Sequence, residues 1–380
     1  MLKGKQTVVL DKPVWVESAA SIVGQKEGEG PLGKYFDIIA TDPMVDTNTW
    51  EEAESKLQEM AVDKLLEKSA LEKEDVRYML AGDLLGQLIA TSFGLEKYKI
   101  PIFGLYGACS TFGEAVGLGA MLVAAGYGDN IIALASSHFA SAEKQFRFPL
   151  EYGNQRPPAS TWTVTGCGAM MLSSEKCGVK VSSGQTAGGT TAGTAGKNAP
   201  AAESTSAGSS EIQNAGKNIG VKVAGMTTGK IVDFGVKDSM NMGACMAPAA
   251  ADLIISNFKD LEIDGNYYDK IITGDLGTVG RQILLDLLRE KGIDIAERYT
   301  DCGIEIFDGE NQDTKAGGSG CGCSAVTACS YIMHNLKEGR WKRVLLIPTG
   351  ALLSTVSYNE GKSVPGIAHG VIFEAETEGM

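Results

Sequence analysis

Two stretches of the chain share an apolar run that ends in the same three letters. Residues Asp75–Leu84 read DVRYMLAGDL and residues Tyr268–Leu276 read YDKIITGDL, so each run closes on Gly-Asp-Leu. A short continuous apolar run bounded by a turn residue is typical of a strand that is buried on both faces. The pattern predicts two such strands, each with an aspartate just beyond its carboxyl end.

A second pair of similar phrases follows in the same order. Gly107–Thr111 (GACST) resembles Gly322–Ala325 (GCSA), and each phrase precedes a helix-like stretch and then an apolar strand, Ile131–Ser136 or Val344–Gly350. In both copies the cysteine of the phrase lies 24 residues before the middle of that strand. Two unrelated strand–helix–strand units would also look alike, but the repeated order and spacing favour a duplicated α/β fold.

The region between the two copies has a different composition. Residues 183–218 are rich in Gly, Ala, Ser and Thr and contain almost no large apolar side chain. Such a segment cannot bury enough surface to offset the entropy of ordering it. We therefore predict an N-terminal half at 1–182, a low-complexity flexible insertion at 183–218, and a C-terminal half at 219–380.

Composition and charge exclude several classes of protein. The 380 residues are 43% hydrophobic and carry a formal net charge of −13, with no dense Lys/Arg cluster, which argues against a nucleic-acid partner. The N-terminus lacks the apolar core of a signal peptide. The longest weakly polar stretch, Gly117–Tyr127, is shorter than the roughly 20 residues of a spanning helix. These features predict synthesis in the cytoplasm without a membrane span.

The cysteines are expected to be buried thiols. All eight lie among Gly, Ala and Ser, a pattern that favours small packed residues over a disulfide framework. Cys321 and Cys323 form a Cys-x-Cys, but no second cysteine or histidine pair stands at metal-ligand spacing, so a metal site is not expected.

Cys109 is the sharpest chemical candidate. It precedes a helix-like segment of small and apolar residues, Ser110–Ala125. The unpaired amides at a helix N-terminus lower the pKa of a thiol and favour the thiolate, which is how a nucleophilic cysteine is prepared. A small packing residue in a crowded turn is the alternative interpretation.

The Gly-Ala-Cys-Ser turn before a central helix, within a duplicated α/β chain, resembles thiolases and ketoacyl synthases. The resemblance implies a thiolase-like, five-layered αβαβα fold from two duplicated halves. It also implies a pocket at the N-termini of two central helices, with Cys109 at the position of the nucleophile. Proteins of this fold commonly form homodimers.

A set of short phrases runs along most of the chain: Gly30–Gly33, Ala81–Leu84, Gly107–Thr111, Ser136–His138, Gln145–Pro149, Glu151–Gly153, Met246–Asp252, Ala316–Cys321, Thr349–Leu353 and Ile367–Gly370. Together they resemble a thiolase-like family of sporulation proteins in spore-forming Firmicutes. The resemblance implies binding of dipicolinic acid (pyridine-2,6-dicarboxylate), with or without calcium, and its uptake into the forespore together with other stage V sporulation membrane proteins. The chain would then work peripherally at the forespore or spore inner membrane.

The residues that condensing enzymes of this fold use for proton transfer are missing. Their second-half loop supplies a His or an Asn, but here Gly317–Ser324 contains neither. A further family His would fall near Gly274, where Asp275 stands instead. An anion beside a thiolate opposes the ionisation of both groups. Condensation is therefore expected to be lost, and no cofactor is implied.

We expect a binding pocket that uses side chains from both halves. Arg147 and Arg156 are candidates to hold the carboxylates of a planar ligand, because a guanidinium can make two parallel hydrogen bonds to a carboxylate; a solvated loop with internal ion pairs is the alternative. His369 would line the pocket or be a satisfied core residue, and His334 is predicted to be a surface residue. The candidate ligand-binding residues are Cys109, His138, Arg147, Arg156, Asp275, Ser319 and His369.

Two other functions stay open. One is a Cys109-dependent acyltransferase or thiolase-type enzyme with an unrecognised proton relay, which covalent acylation of Cys109 would reveal. The other is a scaffold subunit with an empty pocket, whose function lies in its contacts with membrane partners.

Overall fold

The computed structural model of the chain describes residues 1–146, 156–176 and 219–377. Arg147 and the low-complexity segment 183–218 therefore lie outside the described residues, and the boundaries of the predicted halves remain predictions. The described strands are β1 Leu2–Lys3, β2 Thr7–Gly24, β3 Ile38–Ala40, β4 Tyr78–Gly82, β5 Ile102–Gly104, β6 Asn130–Ser137, β7 Trp162–Thr163, β8 Gly166–Ser173, β9 Ile219–Thr228, β10 Lys270–Thr273, β11 Tyr299–Asp301, β12 Gly318–Ser319, β13 Arg343–Ile347, β14 Thr349–Ala351 and β15 Gly366–Thr377.

Helices connect most of these strands. The helix predicted between the GCSA phrase and the next strand is present: it runs without a break through α9 (Cys321–Thr327), a π-helical turn at Ala328–Ile332 and α10 (Met333–Lys337), and β13 follows it. The described helices are α1 Gln25–Gly28, α2 Trp50–Ser69, α3 Ile89–Leu95, α4 Thr111–Ala125, α5 Phe139–Phe146, α6 Met242–Leu261, α7 Gly277–Arg289, α8 Cys302–Glu305, α9 Cys321–Thr327, α10 Met333–Lys337 and α11 Thr355–Asn359.

The same strand order occurs twice in the described sheet. One series runs β5-β4-β6-β8-β2 and the other β11-β10-β13-β15-β9. In each series the first three strands run parallel to one another, and the fourth strand pairs antiparallel with both the third and the fifth. The long strand β2 also pairs antiparallel with β9, which joins the two series into one sheet. The two runs ending in Gly-Asp-Leu are β4 and β10, at matching places in the two series.

Alternation along the strands divides the apolar side chains among three cores. Ile131 of β6 and Val344 of β13 belong to a central core together with α4 and α9. The next residue of each strand points to the opposite face, into an outer core. Ile132 packs in the core beneath α2, and Leu345 packs in the core beneath α6 and α7. Because both faces of each series of strands are covered, these strands are apolar throughout. The predicted five-layered αβαβα arrangement is confirmed.

Helix α4 is the central helix of the first half. The stretch Ala108–Ala125 is the one candidate membrane span among the described residues by length and composition, and 67% of it is buried inside the protein. It accordingly packs as a core helix. Gly117 allows this close packing, because a Cβ there would lie 2.5 Å from the methyl carbon of Met226.

Candidate functional site at the junction of the two halves

The turn that carries Cys109 is held by side chains of its own sequence. Ser110 Oγ donates to the carbonyl of Gly107 at 2.7 Å, and Thr111 Oγ1 donates to the carbonyl of Ala108 at 2.7 Å. Ala108 has a φ of +50°, in the left-handed region that few non-glycine residues adopt. This tight turn sets Cys109 directly before α4, where the thiol is 6% exposed.

The second-half loop reaches the same place through a small pair of strands. Strand β12 (Gly318–Ser319) pairs in parallel with β7 (Trp162–Thr163), so this loop is tied to the first half. Gly320 follows with a φ of +97°, and a Cβ there would lie 2.6 Å from Ser137 Oγ. A glycine is therefore required at 320, and α9 begins at the next residue.

Asp275 lies between the two halves and faces Cys109. One carboxylate oxygen accepts from the amide of Gly320 at 3.0 Å, and the other accepts from Thr349 Oγ1 at 2.7 Å. The carboxyl group is also within hydrogen-bonding range of the Cys109 thiol. Burial raises the pKa of Asp275 to about 7. The donors that converge on this point are thus already occupied by a carboxylate of the chain itself.

The expectation of a lowered pKa for the Cys109 thiol is wrong. Burial, and after it the negative charge of Asp275, hold the pKa of this thiol well above its ordinary value. The helix N-terminus favours the thiolate, but desolvation and an adjacent carboxylate oppose it more strongly. Cys109 is therefore held as a neutral thiol.

A small cavity opens beside Cys109. Its volume is about 30 Å³, comparable to the space of one water molecule. Most of its wall is apolar, and no histidine lines it among the described residues. The side chains and backbone that form the wall are those of Leu84, Tyr106, Ala108, Cys109, Ala142, Phe146, Thr163, Met242, Ser319, Gly320, Ala351 and Leu353.

None of the three histidines lies in this cavity. His369 is buried, its Nδ1 faces the amide of Gly229 at 3.5 Å, and burial lowers its pKa to about 4. His138 Nε2 bonds the carbonyl of Pro43 at 2.8 Å, and burial lowers its pKa. His334 is half-buried, with its ring 5.0 Å from that of Tyr35, so it is not the free surface residue that was predicted.

Apart from His369, which contacts Gly229 outside the cavity, the described ligand candidates fall into two groups. Cys109 and Ser319 line the cavity, with Asp275 beside them, whereas His138 lines a separate groove on the other side of α5. Arg156 lies over the ring of Trp162, which lines that same groove. The alternation of β7 explains this separation, because Trp162 faces the groove and its neighbour Thr163 faces the cavity. Arg147 lies outside the described residues.

Residues 139–146, at the start of the stretch that leads to the candidate arginines, are helical. They form α5 after His138. Ala142 and Phe146 of this helix contribute to the Cys109 cavity, while Phe139 and Ala140 contribute to the groove. The helix therefore separates two sites that sequence reasoning had merged into one.

Several residues of the site were not singled out from sequence. Thr349 stands in the Thr-Gly-Ala-Leu-Leu phrase, but a threonine hydroxyl gives no recognisable signal by itself. Tyr106 lines the cavity while remaining 48% exposed. Lys26 comes from a distant part of the chain and lines the groove, and nothing in its sequence neighbourhood indicates a site.

The cysteines near the junction make backbone contacts. Cys321 Sγ donates to the carbonyl of Ser136 at 2.8 Å, and Cys323 Sγ donates to that of Gly274 at 3.4 Å. The cysteines within the described ranges are free and buried. In those ranges no group of three or more His, Cys, Asp or Glu side chains is arranged to hold a metal ion.

The chain resembles several solved structures over almost its whole length. The chain resembles a thiolase from Ascaris suum (TM-score 0.53, 12% identity, 96% of this chain and 100% of that one). It also resembles OleA from Xanthomonas campestris (TM-score 0.54, 11% identity, 97% and 99% covered). A third likeness is to 3-oxoacyl-[acyl-carrier-protein] synthase III from Aquifex aeolicus (TM-score 0.50, 10% identity, 95% and 99% covered). At these identities the likeness shows the fold, which is thiolase-like.

Sequence comparison identifies the family within this fold. The profile of stage V sporulation protein AD (SpoVAD) matches residues 4–193 and 190–374. The chain is 40% identical over 373 residues to stage V sporulation protein AD of Bacillus subtilis (strain 168), covering 98% of each chain. The chain belongs to the SpoVAD family, and it has a role in sporulation.

Proposed function

We propose that the chain is a non-catalytic binding protein for dipicolinic acid and serves its uptake into the forespore during sporulation. It would work peripherally at the forespore membrane, within an assembly of other stage V membrane proteins. The observation that carries the non-catalytic part is the position of Asp275 against Cys109. The choice of dipicolinic acid follows from the resemblance of the chain to the sporulation family, which implies this ligand.

Acyl transfer through Cys109 would need three things that the site opposes. It needs a thiolate, a group that moves protons, and donors that stabilise an oxyanion. The thiol is held neutral, no histidine lines the cavity among the described residues, and the amide of Gly320 already donates to Asp275. A site in this state favours a protein that holds a ligand without transforming it.

Calorimetric titration of the purified chain with dipicolinic acid tests the proposal. Saturable binding near one site per chain is expected, with and without calcium in parallel titrations. Because the described residues offer no cluster for a metal, calcium that enters would be held mainly by the ligand's own carboxylates. A folded wild-type chain that releases no heat and shows no binding by equilibrium dialysis would contradict the function.

The apolar wall of the Cys109 cavity favours one second candidate, an acyltransferase. A thioester could place its acyl group against Leu84, Phe146 and Leu353. Incubation with acyl-coenzyme A and intact-mass measurement decides the matter, with Cys109→Ser as control. An added acyl mass that depends on Cys109 would favour the enzyme. A scaffold with an empty pocket is favoured if neither dipicolinate nor thioester binds while membrane partners still do.

We also propose that the chain forms a homodimer through β5. This strand ends the first series of the sheet, and its Ile102 and Phe103 are 45% and 50% exposed. An edge strand leaves backbone N–H and C=O groups unpaired and readily pairs with another chain. A second copy of β5 in antiparallel pairing would cover both the backbone groups and these side chains.

A further inference from the structure

A groove on the opposite side of α5 from Cys109 has aromatic walls. We call it the indole groove; it has a volume of about 550 Å³, within the roughly 300–1,000 Å³ typical of ligand pockets. Trp50, His138, Phe139 and Trp162 line it, and the rings of Trp50 and His138 lie 5.5 Å apart. The indole groove is thus large enough for a small ring compound and has four aromatic rings in its wall.

Two cations lie over one ring in this groove. The ring of Phe139 stacks on Trp162 at 3.7 Å with an angle of 3° between the planes. Lys26 Nζ lies 4.6 Å and the guanidinium carbon of Arg156 4.8 Å from the centre of the indole ring. Since Phe139 covers one face of the indole, the two cations take the other. Like charges are brought together there, and their repulsion favours an anion between them.

The counter-charge within the chain is incomplete. Arg156 Nη2 donates to the carbonyl of Asp313 at 2.7 Å and to its carboxylate at 3.1 Å. That carboxylate is exposed and also pairs with Lys315 at 2.7 Å. The nearby Glu27 is fully buried, and burial raises its pKa to about 7, so it supplies only part of a negative charge near neutral pH. Glu29 also lines the groove together with Glu27, so three cations, counting Lys315, are set against three carboxyl groups, of which Glu27 is only partly ionised.

Arg156 keeps unused hydrogen-bond donors. Its side chain is only 5% exposed, yet Nε and Nη1 are buried without a hydrogen-bond partner in the described chain. Leaving a buried charged donor unpaired destabilises the folded chain, because the group has lost its water without gaining another partner. Nε and Nη1 lie on different edges of the guanidinium, so each can donate a charged hydrogen bond to one oxygen of an anion. Lys26 Nζ uses one donor on the carbonyl of Gln312 and has others to offer.

We propose that the indole groove is a binding site for a small planar aromatic carboxylate, received by Arg156 and Lys26 and flanked by the aromatic walls. The identification of this ligand as dipicolinate rests on the proposed function. The Cys109 cavity suits it less well, because that cavity has about 30 Å³ and the carboxylate of Asp275 beside it.

The test is calorimetric titration of the full chain with dipicolinate at fixed pH and salt. Lys26→Gln and Arg156→Gln are expected to weaken binding roughly tenfold or more, since each removes a charged hydrogen bond. Arg156→Lys keeps the charge without the planar guanidinium, so its affinity for dipicolinate is expected to lie between those of wild type and Arg156→Gln. Arg77→Gln is the matched control, because Arg77 is exposed and lies over the Tyr78 ring 5.1 Å away, outside the groove.

Two further titrations distinguish a failure of the proposed site from a failure of the proposed function. Cys109→Ala is expected to bind as wild type does, and glutarate, a dicarboxylate without a ring, is expected to bind at least tenfold more weakly than dipicolinate. Wild-type affinity in both Lys26→Gln and Arg156→Gln would overturn the indole groove as the site while the function stands. A folded wild-type chain that does not bind dipicolinate overturns both. Thermal unfolding of each variant checks that lost binding is not lost folding.

Discussion

The carboxyl group of Asp275 faces the thiol of Cys109 across the junction of the two halves. Asp83 occupies the corresponding turn of the first half but points elsewhere, accepting from the amide and hydroxyl of Thr91 at 2.8 and 2.6 Å. In the second half Asp301 accepts from the amides of Leu276 and Gly277 instead. Asp275 is thereby released from its own turn and can reach the thiol of the other half.

Removing this carboxylate is expected to make Cys109 more reactive. In Asp275→Asn the negative charge beside the thiol is gone, so the pKa of Cys109 should fall by about one unit or more, although burial still keeps it high. Alkylation by iodoacetamide at a fixed pH near 8 should be roughly tenfold faster, because the thiolate is the reacting form. The pH dependence of the rate is the measurement. Cys109→Ser should abolish the labelling, and equal rates in wild type and Asp275→Asn would contradict the relationship.

A second prediction concerns Glu54, which is buried in α2 and accepts from Ser136 Oγ at 2.9 Å and Ser141 Oγ at 2.6 Å. Burial, and after it the charge of Asp83, raises the pKa of Glu54 to about 8 from 4.5. Between these values the folded chain binds more protons than the unfolded one. Its stability therefore declines as pH rises, by at most about 1.4 kcal/mol per pH unit for this group.

Glu54→Gln should remove the part of the pH-dependent decline in folding stability that comes from Glu54. Urea denaturation at pH 5, 6.5 and 8 measures it as the difference in unfolding free energy between wild type and variant. That difference should shift in favour of the variant as pH rises, while buried carboxyls that do not interact with Glu54 act equally in both chains. Glu74→Gln, at an exposed carboxylate, is the control. Parallel pH profiles for wild type and Glu54→Gln would show that Glu54 does not stay protonated.

The layers of the fold are predictable from sequence because each rests on a local pattern. The run at 78–82 is apolar on both faces, so it had to lie inside a sheet covered on both sides. The turn at Cys109 is likewise local, since Ser110 and Thr111 hold it. What the sequence does not show is strand β2, whose 18 residues pair with both β8 and β9, because long-range pairing leaves no local period.

The indole groove lies beyond sequence reasoning for the same reason. Lys26 is far in sequence from Arg156 and Trp162, and only the folded chain brings two cations over one ring. Sequence reasoning placed His138 and Arg156 in one pocket with Cys109. In the structure they lie on the other side of α5 from it. This separation arises because Trp162 and Thr163 point to opposite faces of β7. The sequence does not indicate which face of such a short strand meets which site.

A third prediction tests how tightly the halves meet at Cys109. A Cβ at Gly350 of β14 would lie 2.4 Å from the carbonyl oxygen of Gly107 and 3.3 Å from the amide of Cys109. Gly350→Ala should therefore displace the turn and lower the unfolding free energy by about 1–3 kcal/mol. Urea denaturation measures the loss. Gly309→Ala is the control, because nothing lies within 4 Å of a Cβ there. An unchanged stability in Gly350→Ala would mean that the two halves are less closely packed at this point.

The last prediction concerns the edge strand β5. If a second copy pairs on it, a charge on its exposed apolar face should break the homodimer, because a lysine would be buried without a partner. Phe103→Lys is expected to shift the mass in solution, measured by light scattering after size exclusion, from two chains to one. Phe234→Lys is the matched control, since Phe234 is a phenylalanine of the second half that is 66% exposed. A Phe103→Lys chain that stays dimeric would place the interface elsewhere, whereas a monomeric wild type would remove the homodimer altogether.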